Sequence, residues 1–336
     1  MGGRLRLVSR LLPSGNQRAI TVLVIGLIVF FSLTTPVTFV STANAANLLR
    51  QMSFNAVIAL GVVVVMAGGG LDISVGAVMS MSAAVVMGFQ PHGVPVAVVM
   101  ALAFGVAVGA INGVMVAWFD IVPFVATLGT MTIASGLVHE YSHDMPIPGA
   151  NVAFTVLGGG NLGPIPVPVL FMIGLAIVIH VTMTHTPFGR AVYAVGGDFE
   201  AARLAGINVA LTRFSTYVIS GFCSSLAGIL LASELNTSST QLGIDTPLLI
   251  LAAVIMGGAS LLGGRGTAVG ALLGVLALGL LATGLDGLGV QTAQQTIIRA
   301  VIFVAIVVLD VVSVGRLWAR LRLRTGLSRG REATPM

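Results

Sequence analysis

The sequence predicts an all-α, polytopic membrane protein of about ten transmembrane helices, with eight as the alternative. Both termini are expected on the cytoplasmic side. Three observations carry this prediction. First, of 336 residues 56% are apolar and 8% charged, and the mean hydropathy is +1.04. An ordinary soluble domain carries roughly 25% charged residues, so this chain has too little charge to cover a soluble surface. Second, the apolar residues fall into runs close to the about 20 needed to cross a bilayer. Third, all 16 basic residues are Arg, with no Lys, and they stand beside those runs rather than among them. Together these exclude a soluble globular enzyme, a disordered tail and a secreted disulfide scaffold. Cys223 is the single cysteine, so no disulfide forms within the chain.

The elements follow in order. A basic N-terminal segment, 1–18, carries Arg4, Arg6, Arg10 and Arg18 and precedes the first span, Ala19 to Thr35, which Pro36 ends. No small-residue cleavage site follows a short apolar run, so this span is read as a retained anchor. Ser41 to Arg50 is polar and reads as a short surface helix. Asn55 to Met66 continues into the second span, closed by Gly68-Gly69-Gly70. The third span is Ile73 to Phe89, and Pro91 to Pro95 is a turn. Val96 to Trp118 is the fourth span and Phe124 to Val138 the fifth. A Pro- and Gly-rich polar loop leads to the sixth, Val167 to Met183. The hydrophilic segment 184–213 divides the chain. Phe214 to Ala232, Thr246 to Leu262, Thr267 to Thr283 and Gln291 to Val314 are spans seven to ten, and a basic tail, 315–336, closes the chain. The whole of 19–314 reads as one membrane domain. With the N-terminus inside, every arginine except Arg50 and Arg299 falls on the cytoplasmic side, as the positive-inside rule requires. This placement also explains the net charge of +5 without nucleic acid. The glycines at 105, 109 and 113, and at 270, 274 and 279, are expected to let helices approach closely.

Two glycine-rich blocks read as structural turns. Gly69, Gly70, Asp72 and Gly76 lie in the first, where Asp72 or Ser74 can accept hydrogen bonds from the free N–H groups that open the next helix. Gly257, Gly258, Gly264 and Gly266 mark the second. Each block joins an outward-to-inward span to an inward-to-outward one, which hints at an internal repeat of the kind transporters use.

The segment 184–213 carries the clearest local signal. Gly196 and Gly197 make a turn, Asp198 is a good N-cap, and Glu200 sits in the first helical turn. Arg203 sits in the last, and Gly206 suits a C-cap. The result is about two turns of helix, capped at both ends and too short to be stable alone, so it must dock on something. His139 and His143 stand at i and i+4 near Glu140 and Asp144, but the prolines at 146 and 148 read as a helix ending in a polar loop, and no metal site is expected. Among residues inside spans, Asn55, Thr127 and Thr130 are candidates for a polar solute path. The threonines have a rival role, bonding their own i−4 carbonyls. Arg299 either snorkels to the outer interface or pairs with Asp245 or Asp286.

At these motifs the chain resembles the permease subunits of ribose/xylose/galactose-type bacterial ABC importers. Three blocks carry the resemblance: Gly69 to Gly76, reading GGLDISVG; Phe188 to Ile207; and Met256-Gly257-Gly258 through Gly264-Arg265-Gly266. The second block departs from the family pattern at Asp198, where Asn is usual. The related branched-chain amino-acid permeases share the architecture but are not expected to carry GGLDISVG, which favours sugar.

The resemblance implies a multi-pass protein of the bacterial inner membrane that carries no catalysis of its own. It also implies four kinds of partner: a cytoplasmic ABC ATPase dimer, an extracytoplasmic sugar-binding protein, a second permease copy or paralogue, and the lipid bilayer. ATP and Mg would be bound by the ATPase, which agrees with the absence of the lysine a Walker A loop needs. By the same resemblance Gly196, Gly197, Asp198, Glu200, Ala201, Ala202, Arg203 and Gly206 form the segment that couples to the ATPase. An ion-coupled secondary carrier is the rival class, and sparse charge within the spans speaks against it.

Overall fold

The computed structural model describes residues 15–35, 39–302, 304–305 and 308, so most of the two basic terminal segments lies outside it. The chain is helical almost throughout. In order the helices are α1 (Gly15–Thr34), α2 (Thr42–Ala67), α3 (Val75–Phe89), α4 (Val94–Ala117), α5 (Pro123–Ser142), α6 (Val167–His185), α7 (Pro187–Gly197), α8 (Phe199–Leu204), α9 (Val209–Leu235), α10 (Thr246–Met256) and α11 (Ala268–Gly287). Residues 292–302 are also helical. Among the described residues the only paired strands are Asn161–Leu162 and Ile165–Pro166, a small antiparallel hairpin.

Helix boundaries follow their local chemistry. Pro stands in the first turn of α4, α5, α6, α7 and α10, where its missing N–H costs nothing. Ser41, Asn208 and Thr267 accept side-chain cap bonds from Asn44, Leu211 and Gly270 N–H. Helix α5 ends on His143 in the left-handed conformation (φ +50°), and His139 turns its ring to the Asp144 carboxylate. That group is therefore a helix end, as expected, and among the described residues no cluster of three metal-ligating side chains occurs.

Among the described residues five helices, α2, α4, α6, α9 and α11, are long and apolar enough to cross a bilayer. Two differences from the expected spans matter. Ser41 to Arg50 is not a separate surface helix but the first turns of a continuous 26-residue α2. Helices α3 and α10, at 15 and 11 residues, are shorter than a full crossing. Each is supplemented by irregular backbone: 68–74 before α3 and 236–245 before α10. The second stretch packs on the first turn of α3, because a Cβ placed on Gly76 would lie 2.1 Å from the Gly243 carbonyl oxygen. Non-helical backbone survives at membrane depth only where protein buries it; Asp72, Ile73 and Ser74 of the first stretch are buried, whereas Ser238 is the one buried residue of the second.

The core is built on α2 and α9. From Met52 to Ala67 every residue of α2 is buried except Asn55. Helix α9 packs on α2, α3 and α4. The glycines of α4 allow the closest approach: a Cβ on Gly105 or Gly109 would come within 2.4 Å of the Gly221 or Tyr217 carbonyl oxygen of α9, and one on Gly113 within 2.8 Å of the Phe214 ring. Gly270 and Gly274 of α11 likewise face the carbonyls of Gly257 and Ala253 at the end of α10, and Gly279 receives the Met52 side chain.

Candidate functional site: a glycine junction under the coupling helix

One end of the bundle carries Arg190, Arg203, Arg213 and Arg265 and gathers most of the sequence-predicted residues. Thr186 caps α7, accepting from Gly189 N–H at 3.3 Å. Asp198 ends α7 and caps α8, accepting from Ala201 N–H at 3.0 Å. Arg203 reaches back to Glu200 at 2.6 Å, an exposed i,i+3 pair that contributes less than about 1 kcal/mol. The chain leaves α8 through Gly206 at φ +81°, with Ile207 N–H donating to the Ala202 carbonyl at 3.1 Å. Ala202 is buried and holds α8 down, whereas Phe199 and Leu204 are 56% and 85% exposed. Sequence reading did not single out Phe199 and Leu204. Their signal is two large apolar side chains within a segment otherwise capped and charged.

Beside α8 lies an open cleft of about 840 Å³. Its walls are Gly196 to Glu200, the α4–α5 connection through Trp118 and Asp120, and the start of α9. Arg213 of α9 holds Asp120 across it at 3.4 Å. This cleft and the exposed face of α8 form one surface.

Beneath that surface the three glycine-rich blocks converge. Gly264 N–H donates to the Ala67 carbonyl at 3.0 Å, joining the loop after α2 to the loop after α10. Gly196 is wedged between them: a Cβ there would lie 1.9 Å from the Ala67 oxygen and 2.7 Å from the Gly264 nitrogen. A Cβ on Gly263 would lie 2.5 Å from the Gly196 oxygen and 2.7 Å from the Gly69 Cα. The contacts are backbone on backbone, so no side chain can be tolerated by rotamer adjustment. Tyr193 fastens the same junction, its hydroxyl donating to the Gly266 carbonyl at 2.6 Å. Burial raises the Tyr193 phenol above its ordinary range, so it stays protonated as a donor throughout neutral and mildly alkaline pH. Tyr193→Phe is expected to destabilise the junction by about 1 kcal/mol, read as a lower midpoint in thermal unfolding of the detergent-solubilised protein.

Neither Asp72 nor Ser74 caps α3 as expected: Ser74 stands at the N-cap without a side-chain cap bond, and Asp72 bonds ahead of the helix. Asp72 is 1% exposed. One carboxylate oxygen accepts from Ser74 N–H at 3.0 Å and Ser74 Oγ at 2.6 Å, and the other accepts from Ser220 Oγ at 2.7 Å. Ser74 Oγ in turn accepts from Asn112 Nδ2 at 3.0 Å, and Asn112 Oδ1 accepts from Thr130 Oγ1 at 2.7 Å. The network thus joins the segment before α3 to α4, α5 and α9. Ser220 lies seven residues beyond Arg213, roughly 10 Å further along α9, so Asp72 sits well inside the bundle rather than at its face.

The three candidates for a solute path are placed apart. Thr127 and Thr130 are buried; Thr127 donates to its i−4 carbonyl, Pro123, at 2.9 Å, whereas the one Thr130 proton goes to Asn112 at 2.7 Å, with the Ala126 carbonyl further off at 3.3 Å. Thr127 also reaches the Leu71 carbonyl at 3.4 Å. Asn55 instead lines a cavity of about 130 Å³ with Gln51, Thr283 and Arg299. Arg299 donates to Gln295 at 3.1 Å, and Gln295 bonds Asp286 at 2.6 Å, so arginine and aspartate are linked through an amide rather than paired.

Residues 44–307 match the family described as "Branched-chain amino acid transport system / permease component". The chain is similar to the ribose import permease RbsC of Bacillus subtilis, 39% identical over 288 residues, covering 84% of this chain and 89% of that protein. It is similar to RbsC of Escherichia coli K12 at 36% over 305 residues, covering 88% and 93%. The D-allose transport permease AlsC of the same organism is 31% identical over 287 residues, covering 84% and 88%. No solved structure matches.

Proposed function

The chain belongs to the branched-chain amino acid transport system / permease component family, and from that premise we propose that it is the membrane subunit of an ABC importer for a small neutral sugar or polyol. The permease itself is not an enzyme. In this reading it lies in a bacterial inner membrane with the arginine-rich end toward the cytoplasm. An ABC ATPase dimer holding ATP and Mg docks on α8 and the adjoining cleft, with Phe199 and Leu204 as its apolar anchors and Glu200 and Arg203 as its charged rim. An extracytoplasmic binding protein delivers solute at the opposite end, and a second permease copy or paralogue completes the membrane pore. The GGLDISVG block and the sugar names of the relatives support sugar over an amino acid.

The observation that carries the mechanism is the wedge of Gly196 between the loops after α2 and α10. A force on α8 passes through one peptide unit into both halves of the bundle, and closely packed backbone transmits displacement rather than absorbing it. Closure of the ATPase pair would therefore move both halves together and switch access from one side to the other. The test is reconstitution with the ATPase and binding protein. Arg203→Glu should reduce solute-stimulated ATP hydrolysis at least tenfold while leaving membrane insertion intact; unchanged stimulation overturns the docking assignment. Uptake by the purified chain alone, driven by a proton or sodium gradient, would replace this reading with an ion-coupled carrier.

A further inference from the structure

Helix α2 carries its amides on one face. Asn44, Asn47, Gln51 and Asn55 follow at intervals of three, four and four residues, which places them in one line along the helix. The line descends from the outer end of α2 into its buried half, where Asn55 is the one residue from Met52 to Ala67 not buried. Two cavities lie along it. The upper, about 330 Å³, is bordered by Asn44, Asn47 and Gln51 of α2 and by Thr283 and Asp286 of α11. The lower, about 130 Å³, is bordered by Gln51, Asn55, Thr283 and Arg299. Leu48, Gln51 and Thr283 border both, so the two adjoin along the amide line. At its foot the Arg299 Nε is buried without a hydrogen-bond partner.

A buried N–H left without a partner is costly, and the Asn55 amide is half-buried on the same line, whereas Asn44 donates to the Phe39 carbonyl at 3.0 Å and Asn47 and Gln51 are exposed above it. A neutral solute rich in hydroxyl groups would satisfy both: amides accept from and donate to hydroxyls, and the Arg299 N–H donates to one. A free anion is a poorer match, because Asp286 borders the mouth and would repel it. We propose that this amide-lined path between α2, α10, α11 and the helix at 292–302 is the outward-facing binding station for a neutral polyhydroxylated solute, with Asn55 and Arg299 at its floor. The proposal rests on the sugar-importer reading for the identity of the solute, but the path itself follows from the residues alone.

The native cysteine favours a direct test, because Cys223 is fully buried and contributes little background labelling. Gln51→Cys and Asn55→Cys are to be labelled in membranes with a water-soluble, impermeant methanethiosulfonate applied from outside, with Leu49→Cys on the same helix but off the amide line as reference. Asn55→Cys should react at least tenfold faster than Leu49→Cys, and D-ribose, D-allose or D-galactose with the binding protein should slow it several-fold. In the importer reconstituted with its ATPase and binding protein, Asn55→Leu, which keeps the side-chain shape, and Arg299→Gln should each reduce uptake at saturating binding protein at least tenfold. Labelling of Asn55→Cys no faster than the reference, or wild-type uptake by Asn55→Leu, overturns the proposal. If the intact importer moves none of the three sugars, the sugar reading fails on its own, and the labelling ratio still decides the path.

Discussion

Gly196→Val is expected to abolish ATP-driven uptake and to destabilise the permease by about 3 kcal/mol or more, at the upper end of overpacking costs. The reason is what surrounds the site. The nearest atoms to a Cβ there are the Ala67 carbonyl oxygen at 1.9 Å, the Gly264 nitrogen at 2.7 Å and the Ala67 carbonyl carbon at 2.9 Å. All belong to main chain, and Ala67 and Gly264 are themselves joined by a 3.0 Å hydrogen bond. A side chain can be accommodated only by parting the loops after α2 and α10, which breaks that bond and separates α8 from the bundle. The measurement is a thermal midpoint by size-exclusion chromatography alongside uptake in proteoliposomes. The next residue gives the comparison. A Cβ on Gly197 meets nothing within 4 Å, so Gly197→Ala should leave the midpoint unchanged. If both substitutions lower it equally, the loss does not come from backbone contact at Gly196 and the wedge has no special role, since replacing glycine raises helix propensity.

The contrast shows what a single sequence conveys. The capped helix at 199–204 is legible because its signals are local: Asp198, Glu200, Arg203 and Gly206 lie within nine residues, each at a position where its chemistry is favoured. The glycine ladders at 105–113 and 270–279 are legible as packing surfaces for the same reason. That Gly69, Gly196 and Gly264 meet is not legible, because the three lie far apart along the chain and a glycine carries no mark of its partner. The first turns of α2 mislead a hydropathy reading: Asn44, Asn47, Arg50 and Gln51 look like a helix lying on the surface, whereas they continue a spanning helix and the amides among them border open clefts. Polar residues within a membrane protein mark either an interface or a path, and composition alone does not distinguish them. Asp72 illustrates the same limit. A carboxylate before a helix predicts a cap, but Asp72 bonds Ser74 N–H ahead of the helix, and its second oxygen is committed to Ser220, 148 residues away.

Substitutions at Asp72 should therefore separate by hydrogen-bonding capacity rather than by size. Asp72→Leu leaves the Ser74 N–H, the Ser74 hydroxyl and the Ser220 hydroxyl without their acceptor inside the bundle. Each buried group stripped of its partner costs about 1–3 kcal/mol, and in the absence of water none can be rescued by solvent. The hydroxyls recover part of this by turning to helix carbonyls, so the net loss is expected at about 3 kcal/mol. Asp72→Asn keeps one oxygen for Ser74 and presents an N–H₂ to the Ser220 hydroxyl oxygen, which can accept. It should retain most of the stability and fold at near wild-type yield. Asp72→Ala should fall between, because the smaller side chain leaves room that polar neighbours can collapse into. Thermal midpoints of the three variants in one detergent test the order Asn above Ala above Leu. Should Asn prove as damaging as Leu, the negative charge itself, not the acceptor geometry, holds α3 to α9. The distinction bears on transport, because Ser220 and Asn112 belong to the two helices that pack most closely, α9 and α4. A network that ties their polar groups to the Gly68–Gly70 loop gives the coupling junction a second attachment within the membrane, and an Asn variant that folds but transports slowly would place that attachment in the transport cycle.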